Sequence, residues 1–200
     1  SVKTAVLIAL TVVEVTMAAR QEQALDRPGR WRSFTDMRSI RSLASAQGSV
    51  WAASPGGLFR WERQTETMTK YTNSEGLSSN DLTAVMIDPA GRVWVGSVEG
   101  WINVLEPGSN RWIVIDDIRN SARVQKRIRT FSMSGDSLFI GTDFGVSVFR
   151  LSRWEFGDTY ANFGFSAPAS VNSVVVLGDR LWVATDKGVA SAQRFLTNLS

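Results

Sequence analysis

The chain has 200 residues, 44% of them apolar and eight of them Trp, enough for one domain with a substantial buried core. It contains neither cysteine nor histidine, which excludes disulfides, thiolate metal sites, Ser-His or Cys-His nucleophile pairs and an imidazole base. The formal net charge of +3 is modest and bears on association with anionic partners rather than on fold.

In chain order, Lys3 is followed by the apolar stretch Ala5 to Val13 and by small residues around Thr16, Ala18 and Ala19. A charged start, a short apolar region and a small-residue zone read as an export signal over residues 1–19. The apolar run is too short to span a bilayer, so no stable membrane span is expected in the mature chain. Residues 20–30 are polar, carry Pro28-Gly29 and read as a linker.

From residue 31 to 200 the chain is repetitive. Val50 to Gly57 (VWAASPGG), Val93 to Gly100 (VWVGSVEG), Leu138 to Gly145 (LFIGTDFG) and Leu181 to Gly188 (LWVATDKG) share an apolar strand, a Ser or Thr, two variable residues and a Gly. Their aromatic residues Trp51, Trp94, Phe139 and Trp182 lie 43, 45 and 43 positions apart. A strand-rich period of this length is the signature of propeller blades.

Alternation and turn residues resolve four strands per repeat. The first copy has Ile40–Ala46, Val50–Ala53, Gly57–Trp61 and Met68–Thr72. The second has Leu82–Ile87, Arg92–Gly96, Trp101–Leu105 and Arg111–Ile115, and the third Ile128–Met133, Ser137–Gly141, Val146–Arg150 and Arg153–Phe156. The fourth supplies only Val171–Leu177, Arg180–Ala184 and Gly188–Ala192.

The segment Arg30-Trp31-Arg32-Ser33-Phe34 opens on Arg-Trp, as do Arg111-Trp112 and Arg153-Trp154 on the outer strands, so it has the makings of the missing fourth strand. Closure would remove exposed sheet edges. The expected fold is therefore all-β, a β-propeller of four-stranded blades with four repeats, either a closed small ring or part of a larger propeller.

Trp51, Trp94, Phe139 and Trp182 are expected to fill the space between twisted neighbouring sheets, all four alike. Gly57, Gly100, Gly145 and Gly188 are expected at positive φ or close strand approaches. Both sets read as architecture.

The stretch Glu75 to Gly100, EGLSSNDLTAVMIDPAGRVWVGSVEG, resembles the two-component regulator propeller repeat: Gly-Leu-Ser-x-Asn, an apolar strand, Asp-x-x-Gly-x-aromatic-apolar-Gly-Thr, then Gly. Gly141-Thr142-Asp143 and Ala184-Thr185-Asp186 keep the small-Thr-Asp element, whereas Ala53-Ser54-Pro55 departs from it; the resemblance extends over about Met37 to Ala192. It implies a periplasmic or cell-surface location and a non-catalytic, extracytoplasmic ligand-sensing module. The alternative is an interaction scaffold of cell-surface or type IX secretion assembly. It carries over no catalytic residue and no cofactor. Propeller lyases that resemble this repeat move protons with histidine, which this chain lacks, and the sialidase Ser-x-Asp-x-Gly-x-x-Trp box is not matched by Asp88-Pro89-Ala90-Gly91-Arg92-Val93-Trp94.

Binding is expected on the face where the loops between second and third strands meet the connections between blades. The connection Asp116 to Gln125 opens the densest charge cluster, the segment Asp116 to Arg129, and the connection Gly157 to Ser170 brings Tyr160, Phe163 and Phe165. The candidate ligand-binding residues are Arg119, Arg123, Arg127, Asp143, Phe144, Tyr160, Phe163 and Asp186, with a carbohydrate or protein ligand carrying negative charge as the expected partner. One basic loop offers too few phosphate contacts for nucleic acid.

Overall fold

A strand that alternates apolar and polar residues must bury one face, and here each strand finds its neighbour across a tight turn. The computed structural model describes residues 37–193. Blade 1 is the meander β1 (Ser42–Ala46), β2 (Ser49–Ser54), β3 (Gly57–Glu62) and β4 (Thr67–Tyr71). Blade 2 is β5 (Leu82–Ile87), β6 (Val93–Ser97), β7 (Ile102–Leu105) and β8 (Trp112–Ile115). Blade 3 is β9 (Ile128–Ser134), β10 (Ser137–Thr142), β11 (Gly145–Arg150) and β12 (Glu155–Tyr160), and blade 4 has β13 (Val171–Leu177), β14 (Arg180–Thr185) and β15 (Gly188–Gln193). Every pairing is antiparallel between strands adjacent in sequence.

The inner strands β1, β5, β9 and β13 pack side by side in that order. Hydroxyl groups tie them together. Ser42 Oγ accepts from Val85 N at 3.1 Å across blades 1 and 2, and Thr83 Oγ1 donates to Ile128 O across blades 2 and 3. Among the described residues β13 and β1 make no comparable contact, so these blades form an open arc and not a closed ring of four. The Arg30–Phe34 segment expected to close the ring, and the signal and linker read over residues 1–30, lie outside the described residues.

Three apolar layers fill the gaps between blades. Trp51, Leu58 and Tyr71 meet Leu82, Val85, Val95 and Trp112 between blades 1 and 2. Trp94, Ile102 and Val104 meet Ile128, Ile140, Phe149, Trp154 and Phe156 between blades 2 and 3. Phe139, Val146 and Val148 meet Val171, Val174, Leu181 and Val183 between blades 3 and 4. A Cβ added at Gly141 would lie 2.8 Å from Val171 Cγ1 across the gap to blade 4 and 2.5 Å from Thr130 Cγ2 on the neighbouring strand of its own blade.

The second repeat shows what its Asp-x-x-Gly-Arg-x-Trp sequence does. Asp88 accepts from Arg92 N at 2.9 Å, Arg92 Nε at 2.6 Å and Trp94 Nε1 at 3.0 Å, while Gly91 N closes the turn on Asp88 O at 2.8 Å. The Arg92 guanidinium lies over the rings of both Trp94 and Trp154. Burial pushes the Asp88 carboxyl up, but the bonds from Trp94 and Arg92 and the charge of Arg92 outweigh it and hold the carboxyl below its ordinary value.

Two expectations need correction. Trp182 is not a core residue like its three counterparts: 41% of it is exposed, because its ring faces the side of blade 4 that no described blade covers. The third blade's outer strand begins at Glu155, not Arg153, because Trp154 takes φ +55°, and it runs on to Tyr160, which therefore belongs to the strand and not to the connection. The connection after blade 2 contains the helical turn α1 (Asp117–Asn120).

Candidate functional site

The loops between second and third strands are locked from within. Thr142 Oγ1 donates to Gly145 O at 2.9 Å and accepts from Phe144 N at 3.2 Å; Ser54 and Thr185 make the same pair of bonds in their own loops. The hydroxyl that marks the repeat is thus a turn lock. Each turn ends on a glycine at positive φ: 126° at Gly57, 88° at Gly100, 135° at Gly145 and 135° at Gly188. At Gly145 a Cβ would also run into the Tyr160 carbonyl, so only glycine fits there.

The loop tips are stitched to the connections beside them. Val98 N donates to Asp81 O at 3.0 Å, Asp143 N to Arg127 O at 3.2 Å and Asp186 N to Ser170 O at 3.0 Å. Pro55 occupies this position in blade 1 and has no N–H to give, which accounts for the departure of Ala53-Ser54-Pro55 from the pattern of the other copies. The result is one face on which loops and connections are held together by main-chain bonds.

On this face the basic connection is anchored by Ile118, which is buried and packs over Gly100. Ser121 Oγ donates to Ile118 O at 2.8 Å and Lys126 Nζ to Arg119 O at 2.6 Å, folding the connection back on itself. Arg119 lies 5.7 Å from the ring centre of Trp101, and Arg123 lies 5.2 Å from that of Phe144. Two exposed guanidinium groups are therefore presented on aromatic platforms, a placement worth about 0.5–1 kcal/mol each at exposed sites. Both retain N–H donors suited to bidentate contact with a carboxylate, sulfate or phosphate.

The other sequence candidates divide. Arg127 contributes its carbonyl to the stitch with Asp143. Asp143 pairs with Arg129, and its carbonyl accepts from Ser170 Oγ at 3.1 Å; Asp186 Oδ1 accepts from Ser170 N at 2.9 Å. The structure thus brings Arg123 and Phe144 together and sets Arg119 of the same connection over Trp101, while Asp143 and Asp186 tie their loops to the connection at Ser170.

Tyr160 and Phe163 line a different feature, a cavity of about 630 Å³ between blades 3 and 4, with Phe139, Val148, Leu181 and Val183. Arg119, Arg123 and Arg127 are not among its lining residues. Burial first, then the charge and hydrogen bond of Asp158, push the Tyr160 hydroxyl pKa above its ordinary value, so the phenol is neutral at physiological pH.

Trp101, the platform under Arg119, was not legible as a site residue. In sequence it follows the turn glycine as Leu58, Val146 and Val189 do in the other repeats, and a lone Trp after that glycine was the available signal, although in register Ile102, opposite Gly96, takes their place and Trp101 stays in the turn.

Successive four-stranded meanders with neighbouring inner strands and a shared loop face define a β-propeller domain. More narrowly, residues 50–200 match the family described as the PorZ N-terminal beta-propeller domain of the type IX secretion system, and the chain belongs to that family. No curated protein matches the chain.

Among solved structures, PorZ of Porphyromonas gingivalis, a bacterial surface component of that secretion system, is similar with a TM-score of 0.69 and 16% identity, covering 82% of this chain and 22% of that one. The extracellular domain of the putative hybrid two-component system BT4673 from B. thetaiotaomicron is similar with a TM-score of 0.68 and 16% identity, covering 85% of this chain and 22% of that one. The computationally designed protein Ika4 gives 0.59 and 14% identity, covering 82% and 98%. The chain spans about a fifth of the length of the two natural relatives. The likeness to two-component propellers holds at the level of fold. Among the described residues no helix is long and apolar enough to cross a membrane.

Proposed function

We propose that this chain is an exported, non-catalytic interaction module of a type IX secretion component, docking an anionic group of a surface partner on its loop face. The family match over residues 50–200 carries this reading. The pinned basic connection supports it: Arg119 is held over Trp101 and Arg123 over Phe144, which lowers the ordering cost of binding. The partner's charged group is a carboxylate, sulfate or phosphate on a protein or an acidic glycan.

The test is calorimetry with an acidic glycan and with an acidic surface protein of the same secretion system, each in low and high salt. Affinity is expected to fall with salt, since the Debye length is only about 8 Å at physiological ionic strength. An Arg119→Ala, Arg123→Ala double variant should bind at least about tenfold more weakly, as expected when two charge-assisted contacts are lost. Unchanged affinity in that variant would remove this face from the site.

A second reading, sensing of a small ligand in a two-component pathway, draws on the likeness to the BT4673 extracellular domain. It is favoured if a small acidic sugar raises the melting temperature by mass action while no protein partner binds.

A further inference from the structure

The outer strand of a blade stands at the rim of a propeller, and its far edge carries main-chain N–H and C=O groups with no ladder partner. Three blades have such a strand among the described residues: β4, β8 and β12. Blade 2, which carries β8, has a described blade on either side, so the exposure of its rim edge does not depend on how many blades complete the propeller.

Open edges are ordinarily guarded by charged residues, proline or bulges. The outer strand β12 carries Glu155 and Asp158, and its pairing with β11 is interrupted by a register shift between Ser147 and Phe149. In β4 the guard is Lys70. By contrast β8 reads Trp-Ile-Val-Ile, with no charge and no proline, and pairs with β7 without a bulge. Ile113 is 37% and Val114 47% exposed, and β-branched residues of this kind favour strand pairing.

The two ends of β8 are charged with opposite sign. Arg111 precedes the strand, Asp116 and Asp117 follow it, and all three are exposed. None of the three has an ion-pair partner among the described residues, whereas Arg41, Arg60, Arg92 and Arg129 each do. A strand that is basic at its start, apolar in its middle and acidic at its end is complementary to a reversed copy of itself. Turned about a two-fold axis, the basic end of each copy lies beside the acidic end of the other, so the attraction is made twice.

We propose that two copies of this chain pair rim to rim through β8, antiparallel about a two-fold axis at Val114. Val114 stands opposite Val114 of the other copy, Ile113 opposite Ile115, and Arg111 of each copy reaches Asp116 and Asp117 of the other. Two four-stranded sheets thereby become one continuous sheet. The ladder is only four residues long on each side, so the pairing is reversible. Because β8 runs toward the loop face, its reversal sends the two basic connections to opposite sides of the pair.

Sedimentation of the 200-residue chain over a concentration series is expected to show a reversible two-copy species. Val114→Lys sets two ammonium groups opposite each other across the axis and should lower the association constant at least about tenfold, with an unchanged circular dichroism spectrum. Met68→Lys, on the exposed rim strand β4, should leave association as it is. Charge exchange tests the orientation. Arg111→Asp chains and Asp116→Arg, Asp117→Arg chains should each pair at least about tenfold more weakly with themselves, since like charges then meet at both ends, and an equimolar mixture of the two should recover a mixed pair. A single-copy species at all concentrations overturns the proposal. Growth beyond two copies, a pair indifferent to Val114→Lys, or a charge-exchange mixture that associates no better than its components would overturn it equally.

Discussion

Blades 2 and 4 are built on the same local pattern, VWVGSVEG and LWVATDKG, and differ in what surrounds them. Trp94 is fully buried, packed against Phe149 and Trp154 and hydrogen-bonded to Asp88. Trp182 holds the same register and has no described blade on its outer side. A propeller blade is a two-sided object whose strands carry apolar residues on both faces. Its repeat pattern therefore specifies the sheet, while the neighbouring sheet decides how much of each side chain leaves water.

The largest break in the comparison is expected at Trp94. Trp94→Ala should cost about 3–5 kcal/mol, read as a lower denaturant midpoint, because a cavity opens among well-packed rings. An equal loss on Trp182→Ala would mean that the two sites are not different after all.

Next comes the blade spacing. Gly141→Ala should destabilise by about 1–3 kcal/mol, since the new methyl overlaps Thr130 and Val171. Gly178→Ala, with nothing within 4 Å of the added atom but φ at +59°, should cost less. Chemical denaturation of the pair measures the difference.

Smaller again is the Asp88 clasp, which blade 4 lacks. Asp88→Asn keeps the shape but loses the charge, and about 1–2 kcal/mol should go with the charge-assisted bonds to Arg92. The native carboxyl is held below its ordinary value of 3.8, so its contribution is complete above that pH and is lost as pH falls through the lower native value. The wild type should therefore show a loss of stability below about pH 4 that is reduced in Asp88→Asn; parallel acid titrations would count against the clasp.

The smallest effect is at Trp182 itself. Trp182→Ala should change stability by no more than about 0.5 kcal/mol, the usual range for surface positions.

The repeat, the strand order and the turn chemistry were readable because they are local: Ser or Thr three residues before Gly locks a turn using bonds within four residues, as at Thr142 and Gly145. The loop face and its basic connection were readable for the same reason, since blade topology sends both sets of loops the same way. Trp101 beneath Arg119 was missed because the pairing joins residues of a turn and a helix far apart in sequence. Tyr160 was assigned to a connection because the positive φ of Trp154 shifts where β12 begins, and a backbone angle at a non-glycine residue leaves no mark in composition.

By itself, then, the amino-acid order determined that this protein is a run of four-stranded antiparallel blades, with aromatic and glycine positions repeating every 43 to 45 residues. Hydrogen bonding between adjacent strands and short turns are near-neighbour effects, and near-neighbour effects are written in the order of residues. Only the tertiary structure decided that the described blades form an open arc, that Trp51, Trp94 and Phe139 are core while Trp182 is surface, and that Tyr160 faces a cavity. Each of these depends on whether another sheet stands within van der Waals reach, a long-range condition that similar local sequences meet in one blade and not in the next.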